Sequence, residues 1–279
     1  MKISFWGTGA AEGVPAMFCD CQNCKKIRDM GESEYRTRSQ VVVDGELSVD
    51  FPPEAFSHSL KNGVLLSRIK YLLVTHSHMD HFYAHDFVLR GYKYASIEKV
   101  PCLEIYGNEE VGKVFSECTA REMKPEVAPN LHFNCVLPYT ELFIGDYRVL
   151  TIPARHGKTE QALLYYIEKG GKGYLHLYDT GIIDEAAAEF LAKRGAHADL
   201  VAFDCTFGPN AGGYESRHMG ITDNMIVKDM LLSRGVIDEN TQLVITHFSH
   251  NCNPTRKNLE ELEKRYGVIA AYDGYTVEI

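Results

Sequence analysis

The chain has 279 residues, of which 45% are hydrophobic and 24% charged, and its 29 basic and 38 acidic side chains give a formal net charge of −9. This composition is typical of a folded globular protein and excludes an intrinsically disordered chain. The acidic balance disfavours a long nucleic acid as partner, because such binding draws most of its affinity from Lys and Arg side chains that neutralise phosphates.

The predicted elements begin with a short apolar strand at residues 2–6, which runs into the glycine-rich segment 7–13. This apolar stretch is too short for the core of a signal peptide, and no stretch of the chain approaches the roughly 18 apolar residues of a membrane span. We therefore expect a cytoplasmic protein with no membrane partner. The glycine spacing is G-x-G-x-x-x-G and a cysteine cluster follows instead of a helix, which predicts a tight turn and not a dinucleotide fingerprint.

Further β-rich runs and helical patterns alternate along the rest of the chain. Strands are predicted at 40–43, 47–51, 71–75, 103–106, 131–136, 147–152, 162–167, 173–178, 199–204, 242–246 and 274–278. Helices are predicted at 83–94, 108–118, 182–194, 221–234 and 255–266. The first half is dominated by strands and the second alternates, so we expect two packed sheets with helices on their outer faces. Nothing in the sequence marks a linker, and we predict one domain over 1–279.

Three of the eight cysteines crowd into one segment, at Cys19, Cys21 and Cys24. In a long chain that we expect to stay in the cytoplasm, this pattern favours reduced thiols or metal ligands over a disulfide framework. A second concentration of metal-binding side chains follows the strand at 71–75, in the order H-x-H-x-D-H.

His76 and His78 lie two residues apart near a strand end, so both can project to one side and chelate one cation. Asp80 and His81 lie past the bend and can face a second cation. Imidazole nitrogen and carboxylate oxygen are ligands that zinc and related cations accept. The stretch therefore predicts two adjacent metal sites.

Three isolated residues extend this pattern along the chain, namely His156, Asp179 and His247, each at the end of an apolar strand. His156 or His247 taken alone is as consistent with a buried structural role as with a metal ligand. Together with the H-x-H-x-D-H stretch, they resemble the metallo-β-lactamase superfamily over residues 2–279.

The resemblance implies an α+β protein with an αββα sandwich of two mixed β-sheets and a dinuclear site in the cleft between them. It implies one metal held by His76, His78 and His156, a second by Asp80, His81 and His247, and Asp179 as the bridge, with Asp80 counted among the catalytic residues. Two such cations, zinc or manganese, would generate hydroxide from a shared water near neutral pH and screen the attacked group.

The segment 7–16, together with the three cysteines, resembles more narrowly the phosphodiesterase family of the carbon–phosphorus lyase pathway, whose members open a cyclic phosphate on ribose. It resembles more distantly a protein of pyrroloquinoline-quinone biosynthesis. The resemblance implies a structural zinc bound by Cys19, Cys21, Cys24 and His250, in a loop at about 17–26. Two alternatives remain open, namely reduced cysteines without metal and Cys252 as fourth ligand in place of His250.

His218 precedes a predicted helix at the place where phosphodiesterases of this superfamily carry a histidine that contacts the phosphate or protonates the leaving oxygen. Asp204 ends a strand and either orients His218 or serves as a simple strand-end cap. The sequence departs from the family at 48–53, where Ser-Val-Asp-Phe-Pro-Pro replaces the usual Asp-Ala-Gly, and this puts the substrate pocket in doubt.

The function predicted from these residues is hydrolysis of a small cyclic or linear phosphodiester by a metal-dependent hydrolase, with two divalent cations in the active site and one structural zinc. One alternative is a hydrolase of a non-phosphate ester, a lactone or a thioester. Another is a metal-binding accessory protein without catalysis. RNA processing is disfavoured because no basic arm is evident, and the resemblance suggests a homodimer.

Overall fold

The computed structural model describes residues 1–96 and 102–279, and its strands form two β-sheets. In chain order the strands are β1 (Lys2–Gly7), β2 (Gln40–Val43), β3 (Leu47–Val49), β4 (Tyr71–Leu73), β5 (Leu103–Gly107), β6 (Leu131–Cys135), β7 (Glu141–Ile144), β8 (Tyr147–Pro153), β9 (Leu163–Lys169), β10 (Lys172–Leu177), β11 (Leu200–Asp204), β12 (Gln242–Thr246), β13 (Ile269–Ala270) and β14 (Tyr275–Glu278). Within these described residues, each sheet has seven strands.

Both sheets are mixed. The first has the order β14-β1-β2-β3-β4-β5-β6, antiparallel as far as β3 and parallel from β3 to β6. The second has the order β13-β12-β11-β10-β9-β8-β7, parallel from β13 to β10 and antiparallel beyond. Parallel strands need long crossovers, and helices supply these connections.

The helices are α1 (Gln22–Met30), α2 (Ala55–Asn62), α3 (Glu109–Thr119), α4 (Glu185–Lys193), α5 (Ile221–Ser233) and α6 (Arg256–Tyr266). Short 3₁₀ helices lie at Glu32–Glu34, Leu66–Arg68, Ala84–Leu89, Ala128–Asn130 and His250–Cys252. In the described part of the chain, no helix combines the length and the apolar character that crossing a membrane requires.

Three apolar clusters hold these layers together. The inner cluster joins residues of both sheets, such as Phe5 of β1 and Tyr165 of β9, and therefore lies between them. A second cluster packs α4, α5 and α6 on the second sheet, and a third packs α2 and α3 on the first. The predicted α+β class and αββα sandwich of two mixed β-sheets are confirmed.

Two local predictions were wrong. The helix predicted over 83–94 is only the 3₁₀ helix Ala84–Leu89, because Gly91 and Tyr92 adopt positive φ values of 138° and 54° that end it. The cysteine cluster does contain the start of a helix, since α1 begins directly after Cys21. Cys24 and Ile27 lie three residues apart on its buried face.

Candidate metal centre and active site

The predicted ligands lie on loops that leave the ends of four strands. The segment His76–His81 follows β4, His156 follows β8, Asp179 follows β10 and His247 follows β12. Asp179 and His247 have φ values of 57° and 60°, in a left-handed region that few residues other than glycine adopt. Such backbone conformations concentrate at functional sites, where the surroundings over-determine them.

The first group of predicted ligands, His76, His78, His156 and Asp179, is brought together. His78 Nδ1 lies 2.9 Å from His76 Nε2 and 3.2 Å from His156 Nε2. The Asp179 carboxylate lies 3.2 Å from His76 Nε2 through Oδ2 and 3.1 Å from His156 Nδ1 through Oδ1. These separations place three imidazoles and one carboxylate around one small space.

The second group is Asp80, His81, Asp179 and His247. His81 Nε2 lies 3.1 Å from Asp80 Oδ2 and 3.0 Å from Asp179 Oδ2, while His247 Nε2 lies 3.9 Å from the same Asp179 oxygen. Asp179 belongs to both groups and lies between them. The geometry therefore matches the arrangement in which one carboxylate joins two cation sites.

The donor atoms themselves fit bound cations. Among the described residues, four buried atoms of this site have no hydrogen-bond partner: His81 Nε2, His156 Nδ1, Asp179 Oδ1 and His247 Nε2. A buried polar atom without a partner is costly, and in native proteins it calls for an explanation such as an ion. These atoms are all nitrogen or oxygen donors of the kind that zinc and manganese accept, so the residues fit divalent metals.

Oxygen atoms behind the site hold the opposite ring nitrogens of three histidines. His81 Nδ1 donates to Asp50 Oδ2 at 2.7 Å, and His76 Nδ1 lies 3.0 Å from Thr75 Oγ1. His247 Nδ1 lies 2.9 Å from Thr206 Oγ1. Such partners fix the tautomer and orientation of a ligating histidine, so that the other ring nitrogen faces the metal.

The sequence analysis did not single out these supporting residues. Asp50 lies in the segment 48–53, which was interpreted only as a departure from the family, yet its carboxylate is fully buried against His81 and Thr75. The available signal was its position directly after a buried strand. A fourth support is Glu160, which accepts from Ser77 N at 3.1 Å and from Ser77 Oγ at 2.7 Å. Ser77 lies between His76 and His78 in sequence.

The histidines and carboxylates of the site shift one another's pKa values. Burial raises the pKa of Asp179, but the charge of His247 and the close contacts with His218 and His81 outweigh this effect and hold that pKa well below its usual range. Burial lowers the pKa of His81, whereas the carboxylates of Asp80 and Asp50 raise it well above its ordinary value. The Asp179 carboxylate is therefore anionic, as a metal ligand must be.

His218 lies at the edge of the same site and is 28% exposed. Its Nδ1 is 3.2 Å from Asp179 Oδ1 and 3.3 Å from Asp204 Oδ2. Burial lowers the pKa of His218, but the nearby carboxylates of Asp179 and Asp204 raise it to about 10. Asp204 also accepts the backbone N–H groups of Asp179 and Met219, so it anchors two loops in addition to contacting His218.

The cysteine cluster forms a separate group of four possible ligands, Cys19, Cys21, Cys24 and His250. His250 Nδ1 lies 3.3 Å from Cys24 Sγ and 3.7 Å from Cys21 Sγ. The Cys24 backbone N–H and His250 lower the pKa of Cys21 to about 6. Three thiols and one imidazole are a donor set that suits structural zinc. Cys252 Sγ instead donates to the Ser249 carbonyl oxygen at 3.1 Å.

An open cavity of about 330 Å³ gives access to the metal-ligand groups. Its lining consists of Ala10, Ala11, Glu12, His78, Asp80, His156, Asp179, Thr206, His218, His247, Ser249, His250 and Asn251. The cavity therefore borders the predicted dinuclear site, His218 and the loop that carries His250.

Comparison with known proteins agrees with this architecture. A family model described as the beta-lactamase superfamily domain matches residues 48–248. The fold and the site define a metal-dependent hydrolase. The chain belongs to the beta-lactamase superfamily domain family. Comparison with curated proteins gives no match.

Three solved structures illustrate the shared fold. A diphosphatase from the PhnP family is 20% identical with a TM-score of 0.71, over 100% of this chain and 97% of its own. Zn²⁺-bound PqqB from Methylobacterium extorquens is 18% identical with a TM-score of 0.71, over 100% of both chains. The short form of human tRNase Z is 18% identical with a TM-score of 0.67, over 100% of this chain and 99% of its own.

Proposed function

We propose that this chain hydrolyses a small cyclic or linear phosphodiester with two divalent cations, zinc or manganese. The observation that carries the proposal is the position of His218, beside Asp179 in the lining of the cavity that also reaches the predicted ligands His78, Asp80, His156 and His247. The fold shared with a protein named as a diphosphatase supports chemistry at phosphate.

In this proposal His76, His78 and His156 hold one cation, Asp80, His81 and His247 hold the other, and Asp179 contributes to both. Bound cations of this kind supply hydroxide near neutral pH and screen negative charge on the attacked phosphate. The protein's own residues orient these ligands: Asp50 fixes His81, Thr75 fixes His76 and Thr206 fixes His247.

His218 is the proposed proton donor to the leaving oxygen. Asp204 and Asp179 hold its Nδ1, which leaves Nε2 as the ring nitrogen that can deliver a proton. A sugar hydroxyl is a poor leaving group as an alkoxide, so a positioned acid raises its rate of departure. A second proposed metal role is structural, with zinc held by Cys19, Cys21, Cys24 and His250.

A hydrolysis screen on protein of known metal content tests the function. We expect turnover of cyclic or linear phosphodiesters to exceed turnover of lactones, thioesters and carboxylic esters. Preferential hydrolysis of a lactone or thioester would replace the proposed substrate class. Metal-loaded protein that hydrolyses none of the panel would favour an accessory role and contradict the proposal.

A further inference from the structure

One carboxylate in the cavity has no part in the proposed metal sites. Glu12 lies on the loop after β1 and lines the cavity together with Asp80 and Asp179, which are both predicted metal ligands. Its Oε1 accepts a hydrogen bond from Ser249 Oγ at 2.6 Å and lies 3.9 Å from His250 Nε2. Ser249 follows His247 by two residues, so Glu12 stands beside the wall that carries a predicted ligand.

The loop that carries Glu12 is fixed to the rest of the site. Ala10 N donates to the Phe248 carbonyl oxygen at 3.0 Å, and Arg38 Nε donates to the Ala11 carbonyl oxygen at 2.9 Å. Met17 N donates to the carbonyl oxygen of Glu12 itself at 3.0 Å. The carboxylate is therefore held beside the cavity by backbone contacts, while its side chain remains 32% exposed.

Histidines are the only described side chains lining the cavity that can carry a positive charge. Within the described residues, the lining contains neither Lys nor Arg. Negative charge on a ligand is therefore attracted by the proposed metals and His218 and repelled by the carboxylate of Glu12. Each additional charge on the ligand increases its repulsion from Glu12.

We propose that Glu12 is a specificity-determining residue, whose fixed carboxylate makes the site prefer singly charged phosphodiesters over doubly charged phosphomonoesters. The inference rests on the proposed function, since it names the charge class of ligand at that same site. Glu12 acts through repulsion of the second charge of a monoester at the reacting phosphorus. A diester carries only one charge there and is less affected.

Binding of two non-hydrolysable ligands tests the inference without turnover. Phenylphosphonate in mildly alkaline buffer carries two charges. Methyl(phenyl)phosphinate, in which a second P–C bond replaces one P–O bond, carries one charge and has no ester bond to hydrolyse. Calorimetry on metal-loaded protein gives the affinity ratio of the two ligands for the parent and for Glu12→Gln. We expect the substitution to shift this ratio by about tenfold in favour of the dianion, the effect of roughly one charge pair near a protein surface.

Matched variants separate charge from structure. Glu12→Gln keeps an oxygen that can accept the hydrogen bond from Ser249 Oγ, so it removes only the charge. Glu12→Asp keeps the charge and should retain the affinity ratio of the parent. Asp146→Asn makes the same change in net charge on an exposed residue outside the cavity, and should also leave the ratio unchanged. Zinc content measured in every variant checks that the His250 site is intact.

The outcomes distinguish this inference from the proposed function. A ratio in Glu12→Gln within twofold of the parent, or an equal shift in Asp146→Asn, would overturn the role of Glu12. A parent protein that binds both phosphorus ligands with a preference for the singly charged one but hydrolyses only lactones or thioesters would contradict the proposed function and retain the charge selection. Binding of neither ligand would overturn both.

Discussion

Asp179 is the side chain on which the two groups of predicted ligands converge. Its two oxygens lie within 3.9 Å of nitrogen atoms of His76, His81, His156, His218 and His247. It is also 4% exposed and has a left-handed φ of 57°. Asp and Asn tolerate this conformation better than most residues, so Asp179→Asn removes the charge with little change to the backbone.

We predict that Asp179→Asn and His78→Ala each reduce kcat/KM by more than about 10²-fold. Loss of a residue that hydrogen-bonds to a metal ligand typically costs about 10–100-fold in metal affinity or activity, and loss of the ligand itself should cost more. Circular dichroism should show a folded chain in both variants, since neither change empties the apolar core. Activity at half or more of the parent value in metal-replete buffer would contradict the dinuclear mechanism.

Asp50 gives a second prediction, for a residue that contacts no substrate. Its carboxylate accepts from His81 Nδ1 at 2.7 Å and from the Thr75 backbone N–H at 2.8 Å. Asp50→Asn should weaken metal binding by about 10–100-fold, because the ring of His81 loses its anionic partner. Competition with a chelator measures this affinity, and the exposed Asp146→Asn provides the control. Equal chelator resistance in the two variants would show that Asp50 has no such role.

His218 gives a third prediction, which separates proton donation from phosphate positioning. General acid catalysis is typically worth about 10²–10⁴-fold. Nitrophenolate leaves readily without a proton, whereas a ribose alkoxide does not. His218→Ala should therefore lose far more rate on a ribose cyclic phosphate than on bis-nitrophenyl phosphate. Equal losses on both substrates would assign His218 to positioning the phosphate instead.

At the scale of elements, strand ends explain why the ligands meet. β10, β11 and β12 are parallel, so Asp179, Asp204 and His247 emerge at the same edge of the second sheet. β4 ends at the same cleft in the first sheet and carries the His76–His81 loop. Glu160 links the two sheets here, because it binds Ser77 while lying between β8 and β9.

The sequence predicted the long elements better than the short ones. Strong apolar patterns located β1, β12 and α6, but β7 and the two-residue β13 were missed because such short segments have almost no periodicity. α2 was also missed, although Gly63 ends it with a left-handed φ of 66°. Residues 97–101 lie outside the described part of the chain, and no predicted strand or helix begins or ends there.

The sequence also predicted some residues of the candidate site and missed others. The H-x-H-x-D-H part of the ligand set was predicted because it is local in sequence, whereas His156, Asp179 and His247 were added by the family resemblance. Two of the supports were missed because their partners are distant: Asp50 is 31 residues from His81 and Thr206 is 41 residues from His247. Only the pairing of strands brings such residues together, and a single sequence without its fold does not specify that pairing.

The N-terminal helix gives the prediction at this scale. Cys21 is the N-cap of α1, and Cys24 lies within its first turn, so a metal held by them would fix the start of the helix. Cys21→Ser should lower the zinc content by one per chain and lower the midpoint of thermal unfolding, since binding free energy at a structural zinc is folding free energy. The exposed Cys135→Ser is the control. An unchanged zinc count would contradict the assignment of Cys19, Cys21, Cys24 and His250.

For the whole molecule, both predicted metal regions join parts of the chain that are far apart in sequence. The dinuclear site takes residues from the loops of both sheets. The cysteine cluster joins Cys24 to His250 across 226 residues. The unfolded chain cannot hold either arrangement, so bound metal stabilises the native state by mass action. Metal content and global stability are therefore linked, and the link should differ between the two regions.

We predict about three metal ions per chain by elemental analysis, two in the dinuclear site and one in the cysteine cluster. Asp179→Asn should lose one or both of the first pair and keep the zinc, whereas Cys21→Ser should lose the zinc and keep the pair. A chelator should lower the unfolding midpoint of each variant less than that of the parent, because each has fewer metals to lose. If Cys21→Ser loses all of its metals together, the two regions are coupled and the separate assignment of a structural zinc is wrong.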